Sequence, residues 1–187
     1  MKRPLTEIRR DYLALRGESP DLLPQLEEGE YGAVLTLSDE LRVKLMERAL
    51  EATLITPSFL QTDAIQSITP PLLVGRGKYA IARLPADYLK LHTLMMDDWR
   101  EPLTTVEREG LRAELGSAAP DWMICPCRPM VREASDSEGK YLKIYGTCET
   151  GRPSELEYIP MPRIEEECLV ISSAAYHKLL ELLNDDS

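Results

Sequence analysis

The stretch of sequence that decides the fold is RLPADYLKLHTLMMDDWREPL, residues 83–103. It ends one predicted strand and turns at a Leu-Pro-acid-aromatic-Leu corner. The next segment, Tyr88–Trp99, has leucines at a spacing that also suits a helix, but its Thr93 and the turn after it favour a strand. The turn Trp99-Arg100-Glu101-Pro102 then predicts a hairpin into a further strand at Leu103–Val106.

Further strands are predicted on both sides of this stretch, from runs that alternate or that are bounded by turn residues. They are Lys78–Leu84, Trp122–Val131, Tyr141–Cys148 and Glu155–Pro160. Two prolines interrupt Trp122–Val131, so this strand is expected at the edge of a sheet. Glu138-Gly139 supplies the turn into the strand that follows it.

Helices are predicted from apolar spacing and from start and stop signals. They cover residues 4–16, 39–55 and 106–115, and a final helix is capped by Ser172 or Ser173. The stripe of the second helix that we expect to be buried consists of Leu41, Leu45, Met46, Ala49, Leu50 and Leu54. The expected buried face of the final helix consists of Tyr176, Leu179, Leu180 and Leu183.

The order of helices, strands and a last helix predicts an α+β fold, with an antiparallel β-sheet in the middle flanked by N-terminal and C-terminal helices. Residues 17–37 are rich in Pro, Gly and Glu and predict a connector. We therefore expect residues 1–37 to form an N-terminal helix and connector arm. Residues 38–187 are expected to form a single α+β domain.

The N-terminal helix is basic and amphipathic. One of its faces carries the side chains of Leu5, Ile8, Tyr12 and Leu15. The helix either packs on its own domain or reaches a neighbouring subunit as an arm. In the second case Arg9, Arg10 and Tyr12 are candidate subunit contacts.

The charge balance excludes some classes of function. The 187 residues carry 22 Lys and Arg against 32 Asp and Glu, a net charge of −10, which opposes general binding to nucleic-acid phosphates. An acidic surface would instead repel phosphates and let DNA pass. No apolar run approaches the roughly 20 residues that span a bilayer, and the N-terminus is charged where a signal peptide is apolar. We therefore expect a cytoplasmic protein without membrane contact.

The four cysteines, Cys125, Cys127, Cys148 and Cys168, are expected to be free thiols. The Cys-Pro-Cys pair at 125–127 is spaced more closely than the C-x-x-C or longer spacings of zinc sites. In a strand both thiols would point to the same face. They would then be packing thiols, which is the interpretation that we favour, or a metal site or a weak redox pair.

No recognisable catalytic pattern surrounds the central stretch. Asp97 and Asp98 could act as paired carboxylates, but acids at the mouth of a hairpin are more often solvated turn residues. Neither His92 nor His177 belongs to a recognisable sequence pattern that pairs a histidine base with a nucleophile. We therefore expect no enzymatic activity, no cofactor and no metal.

The aromatic side chain of the turn leaves two alternatives open. Trp99 either covers the local core or contacts another subunit, because Trp and Arg are enriched in binding hot spots. In the second case Trp99, Arg100 and Pro102 are candidate subunit contacts.

The order of these elements, and one motif, resemble the head–tail adaptor or ring proteins of tailed bacteriophages, especially those of crAss-like phages. The corner Leu84-Pro85-Ala86-Asp87-Tyr88-Leu89-Lys90-Leu91 looks like the Leu-Pro-Asp-Asp-Phe-Leu-Arg-Leu corner of that family. An early helix like Asp39–Leu54 precedes it, and the run to Trp99-Arg100-Glu101-Pro102-Leu103 follows it, as in the family. A Pro- and Cys-bearing strand, strands like Tyr141–Tyr145 and Tyr158–Pro162, and a terminal helix complete the resemblance, which spans roughly residues 38–183.

The resemblance implies a non-enzymatic virion component, which a prophage could also encode. Such proteins form a ring, typically of twelve subunits and often only on the portal, that extends the DNA channel and offers a platform to the tail. The implied partners are further copies of the chain, the portal protein and a tail protein, without sequence-specific nucleic-acid binding. The protein would be made in the host cytoplasm and then enter the virion. The alternative is a small cytoplasmic ligand- or metal-binding protein, or an enzyme, with a Cys-lined pocket.

Overall fold

The computed structural model describes residues 1–15, 17, 39–70, 72–74, 79–104, 106, 129–146 and 153–185. Its architecture is α+β, with helices towards both ends and antiparallel strands between them, which confirms the predicted fold class. In chain order the elements are β1 (Lys2–Pro4), α1 (Leu5–Leu15), α2 (Asp39–Ile55), β2 (Gln66–Ile68), β3 (Leu72–Val74), β4 (Tyr79–Arg83), β5 (Tyr88–Met96), β6 (Met130–Asp136), β7 (Gly139–Tyr145), β8 (Pro153–Pro160), β9 (Arg163–Glu165), β10 (Cys168–Val170) and α3 (Ser173–Asp185). Two short 3-10 helices, Ser58–Leu60 and Thr62–Ala64, lie between α2 and β2.

The chain divides into two compact units. The first unit consists of Met1–Ala64 together with Met161–Ser187, and the second unit is the continuous segment Ile65–Pro160. This division differs from the expected arm at 1–37 and single domain at 38–187. The difference arises because β1 pairs with β10 and places the N-terminal segment in the same unit as the C-terminal helix.

In the first unit, as far as it is described, three helices pack with a small antiparallel sheet in the order β1-β10-β9. Its core consists of Leu5, Ile8, Leu45, Ala49, Ala52, Leu169, Ile171, Ala175, Tyr176 and Leu179. The turn between β9 and β10 places Glu166 and Glu167 at φ of 50° and 59°, the left-handed values that a two-residue hairpin turn requires. The Arg42 guanidinium holds the Glu167 carboxylate at 2.6 and 2.8 Å.

The buried face of α2 agrees with the prediction in part, because Leu45 and Ala49 are buried and Met46 packs against the core, while Leu50 and Leu54 do not. Ala49 and Ala52 are fully buried, whereas Leu50 and Leu54 are 36% and 45% exposed. Small side chains on the inner face let α2 approach α3 closely, and this contact sets the rotation of the helix. The predicted buried face of α3 agrees better with the structure. Tyr176 and Leu179 are buried, and two further leucines of the predicted face are partly buried.

The described strands of the second unit form two antiparallel sheets, β2-β8-β5 and β3-β4-β7-β6. Among the described strands, β6 lies at a sheet edge. It shares only Met130 and Val131 with the predicted strand Trp122–Val131, so the edge position predicted for that strand stays a prediction. Strand β5 pairs along its length with β8. Within the described residues of the predicted hairpin partner, Leu103–Val106, a single bridge joins Leu103 to Leu94. The core consists of Ala80, Ala82, Tyr88, Leu91, Leu94, Met96, Trp99, Val131, Leu142, Ile144, Leu156 and Tyr158.

Some predictions lie outside the described residues. These are the helix at 106–115 except for its first residue, the predicted strand from Trp122 as far as Arg128, and Cys148. None of the described helices is long and apolar enough to cross a lipid bilayer.

Candidate interaction surfaces

The Trp99 turn is built around a buried indole. Trp99 is 5% exposed, and its Nε1 donates a hydrogen bond of 2.9 Å to the carbonyl oxygen of Gly146. Leu94 and Leu103 exchange two backbone hydrogen bonds of 2.8 Å that close the turn. Within the subunit Trp99 therefore covers the local core, the first of the two alternatives. Of the candidate subunit contacts in this turn, Arg100 and Pro102 are exposed and remain accessible to a neighbouring chain.

The Leu-Pro-Ala-Asp-Tyr corner is fixed by contacts to the β6–β7 hairpin. The Tyr88 amide donates to the Pro85 carbonyl at 3.1 Å, which closes the turn that the proline begins. The Tyr88 hydroxyl is buried and donates to Glu133 Oε1 at 2.5 Å. The Leu84 amide donates to the Lys140 carbonyl at 3.1 Å. The motif that carries the resemblance thus has a structural role, because it fixes the start of β5 to the neighbouring sheet.

One face of the β4–β7 pair combines tyrosines with cations. The Tyr79 and Tyr145 rings lie 5.5 Å apart, and Lys143 Nζ lies 5.1 Å from the centre of the Tyr79 ring. On the same face, Arg83 pairs with Asp136 at 2.7 Å, and the guanidinium lowers the pKa of that carboxyl. Two cations of this face are thus engaged within their own unit, Arg83 by a carboxylate and Lys143 by a ring.

The N-terminal helix α1 packs on its own unit, the first of its two alternatives. Its Leu5 and Ile8 lie in the core, and Asp11 Oδ2 accepts a hydrogen bond of 2.7 Å from the Tyr176 hydroxyl. Burial, and then this hydrogen bond, raise the pKa of Tyr176. The candidate contacts of this helix are the exposed Arg10 and the half-buried Arg9 and Tyr12. These three lie in the first unit and Trp99, Arg100 and Pro102 in the second, so the fold groups the six candidates into two separate sets.

A buried glutamine joins two helices of the first unit. Gln61 is fully buried, and its Nε2 donates to the carbonyl oxygens of Thr53 and Thr56, both at 2.9 Å. Its Oε1 accepts a hydrogen bond of 3.0 Å from Ser172 Oγ, which in turn accepts from the Ala175 amide and caps α3. Carbonyls at the end of a helix need partners from outside it. No periodic pattern marks Gln61 in the sequence, so sequence analysis missed it.

Asp63 binds the first turn of α3. Its Oδ2 accepts hydrogen bonds from the amide and the hydroxyl of Ser173, at 2.9 and 2.7 Å. Burial alone would raise the pKa of Asp63. The hydrogen bonds from Ser173 outweigh burial and hold the pKa below the usual 3.8. A carboxylate at this position is also favoured by the positive end of the helix dipole.

We expect Asp63→Asn to lower the free energy of unfolding at pH 7 by about 0.5–1 kcal/mol, a modest value because the carboxylate is partly solvated. A pKa depressed by folding stabilises the native state above the unfolded pKa, and this contribution is lost as pH falls through the folded pKa. The difference between wild type and variant should therefore shrink below pH 3.8. Urea denaturation from pH 2 to pH 7 measures it, with Glu101→Gln, an exposed carboxyl, as the control. A difference that is the same at every pH would contradict a role for the ionised Asp63.

The cysteines and histidines do not converge in the described part of the chain. There, no group of three or more His, Cys, Asp and Glu side chains is placed to hold a metal ion. Cys168 is a half-buried free thiol, and Cys125, Cys127 and Cys148 lie outside the described residues. His92 Nε2 lies 3.9 Å from Glu157 Oε2, while its buried Nδ1 has no hydrogen-bond partner.

The largest apolar side chains that are exposed in the described residues belong to a single region of the first unit. They are Val43, Leu50, Leu54, Ile55, Phe59 and Leu60, which are 36% to 68% exposed. Sequence analysis assigned Leu50 and Leu54 to the core because a helix with two apolar faces does not reveal which one is covered.

Comparison with known proteins assigns no family. No model of a known protein family matches the chain. No curated protein matches it significantly either.

Proposed function

We propose that the protein is a structural subunit of a tailed-phage or prophage virion, in which it forms a head–tail connector ring between portal and tail. The observation that carries the proposal is the order of the elements. Helix α2, the Pro85 corner, strand β5, the buried Trp99 turn, the β6–β7 hairpin, strand β8 and a terminal helix follow one another. This is the order on which the resemblance to the adaptor family rests.

The packing of the Pro85 corner and the Trp99 turn supports this proposal. The corner and the Trp99 turn are held by buried hydrogen bonds, so they supply a rigid frame for a repeated contact. In a ring each subunit uses one surface towards the next copy and a different one towards the previous copy. The two sets of candidate contacts, Arg9, Arg10 and Tyr12 in one unit and Arg100 and Pro102 in the other, could serve as these two surfaces.

The net charge of −10 suits a channel wall. A wall that repels phosphates lets DNA move through without retention, whereas a basic wall would bind it. In this proposal the protein is made in the host cytoplasm, assembles on the portal protein and then binds a tail protein.

The test is the mass of the assembled protein in solution. We expect light scattering on a mixture with the portal protein encoded nearest to this chain to show a ring-sized species with several copies of the 21.2 kDa chain per portal ring. Arg100→Glu should weaken this assembly without unfolding the chain, because Arg100 is exposed. Asp97→Asn, in the same turn, is the control. A mixture in which no portal-bound chain is found would overturn the proposal, and stoichiometric zinc or iron in the purified protein would favour the Cys-lined pocket instead.

A further inference from the structure

Helix α2 has apolar side chains on two opposite sides, and the first unit uses only one of them. Ala49 and Ala52 face the core. At about 3.6 residues per turn, Val43, Leu50 and Leu54 share a line on the opposite side. These three are 58%, 36% and 45% exposed. We call this line the outer face of α2.

The apolar area continues beyond the helix. Ile55, Phe59 and Leu60, which follow the outer face in sequence, are 50%, 68% and 52% exposed. Contiguous exposed apolar patches of a few hundred Å² mark interaction sites on soluble proteins. An area of that size is a large part of the roughly 800 Å² that each partner contributes to a standard interface.

The charges beside the outer face indicate which partner fits. Lys44 and Glu51 are spaced by seven residues, so they lie along the same edge of the outer face. A second copy of the helix that runs antiparallel brings Lys44 of one chain opposite Glu51 of the other, and does so twice. In a parallel pair this edge would face the opposite edge of the partner helix, which carries Met46 and Thr53, so neither charge would gain an ion pair.

We propose that the outer face of α2 binds the outer face of a second copy of this chain in an antiparallel, two-fold dimer. The two apolar lines cover each other, and the Lys44–Glu51 edges pair across the two-fold axis. The inference does not rest on the proposed function, because it needs no portal. A two-fold contact also closes at two copies, unlike the contact of a ring.

A substitution at Glu47 tests the proposal, because it is expected to strengthen the dimer. Glu47 is exposed and lies between Val43 and Leu50 on the same side of the helix, where it interrupts the apolar line. Glu47→Leu should complete the line and tighten the dimer about tenfold, whereas Leu54→Glu should weaken it at least about tenfold. Both positions are solvent-exposed in the subunit, so neither substitution disturbs the core. Far-UV circular dichroism confirms that the folds are equal.

Sedimentation equilibrium of the full chain from micromolar to millimolar concentration is the measurement. We expect wild type to move from 21.2 kDa to twice that mass. Lys44→Glu and Glu51→Lys should each weaken the dimer. The double variant should restore it, because the exchange of charges preserves antiparallel pairing. Glu51 also binds Arg48 of its own helix at 2.6 Å, so Arg48→Ala serves as the control for loss of that pair.

Four outcomes would overturn the proposal. One is a wild type that remains at 21.2 kDa up to about 1 mM. Two others are a dimer that Leu54→Glu leaves intact and a double charge variant that stays as weak as the single ones. The last is a monomer whose binding to the portal protein is lost with Leu54→Glu, which would assign the outer face to the portal. A ring on the portal that forms equally with Leu54→Glu leaves the proposed function in place, so the two ideas fail separately.

Discussion

Replacing Trp99 with alanine is expected to lower the free energy of unfolding by about 3 to 5 kcal/mol. The indole is 5% exposed and packs in the core of the second unit. Its removal leaves a cavity, and it leaves the Gly146 carbonyl without the hydrogen bond that it now accepts. A loss of this size is a large fraction of the roughly 5–15 kcal/mol that stabilise a typical domain. Urea denaturation followed by circular dichroism measures it.

Two further substitutions separate the contributions to this effect. Trp99→Phe retains most of the aromatic volume but has no indole N–H, so we expect a loss of about 1–2 kcal/mol. Arg100→Ala, in the same turn but exposed, should change stability by less than about 0.5 kcal/mol. If Trp99→Ala cost no more than Arg100→Ala, the indole would not be a core side chain, and its role as a subunit contact would become the better interpretation.

Gln61→Leu is expected to cost about 2 to 4 kcal/mol, although leucine is similar in size and more apolar. The substitution leaves the carbonyls of Thr53 and Thr56 and the hydroxyl of Ser172 without the partner that each has now. Buried polar groups that lose their partners cost more than the hydrogen bond itself contributes to stability. Thermal and urea unfolding should both show the loss.

A matched glutamine in the second unit provides the control for this prediction. Gln66 is half-buried and accepts a hydrogen bond of 2.8 Å from Tyr158. Gln66→Leu should therefore cost no more than about 1 kcal/mol. In addition, the effects of Gln61→Leu and Ser172→Ala should be less than additive, because both remove the same hydrogen bond. Equal costs at Gln61 and Gln66, or full additivity, would contradict a joining role for Gln61.

Local signals in the sequence predicted most of the elements. The Pro85 corner, the Glu138-Gly139 turn and the Ser172 cap each act on neighbouring residues, so their effects can be read from a few positions. The alternating run Lys78–Leu84 predicted strand β4, in which two buried alanines alternate with larger, half-buried side chains. The α+β class follows from the order of such local elements.

The parts that sequence analysis missed depend on contacts between distant residues. Strand β5 pairs with β8, some 60 residues away in sequence, rather than with the segment that follows its own turn. The division into units depends on the pairing of Lys2 with Val170, for which no local pattern exists. Leu50 and Leu54 were assigned to the buried face of α2 together with Leu45 and Ala49, because both sides of the helix are apolar. In the sequence Gln61 looks like a surface residue, because the two helix ends that it joins are far apart along the chain.

The division of the chain also sets an order in which its parts can form during translation. The second unit is continuous, so all of its residues have been added to the chain before residue 161 is. The first unit has to wait, because its α1 and α2 pack on α3, whose residues come from the last segment, Met161–Ser187. Domains fold as units while the chain is synthesised. The apolar side chains of α1 and α2 therefore wait for their partners on α3 until the second unit has been synthesised, and chaperones that act on nascent chains would meet them in that interval.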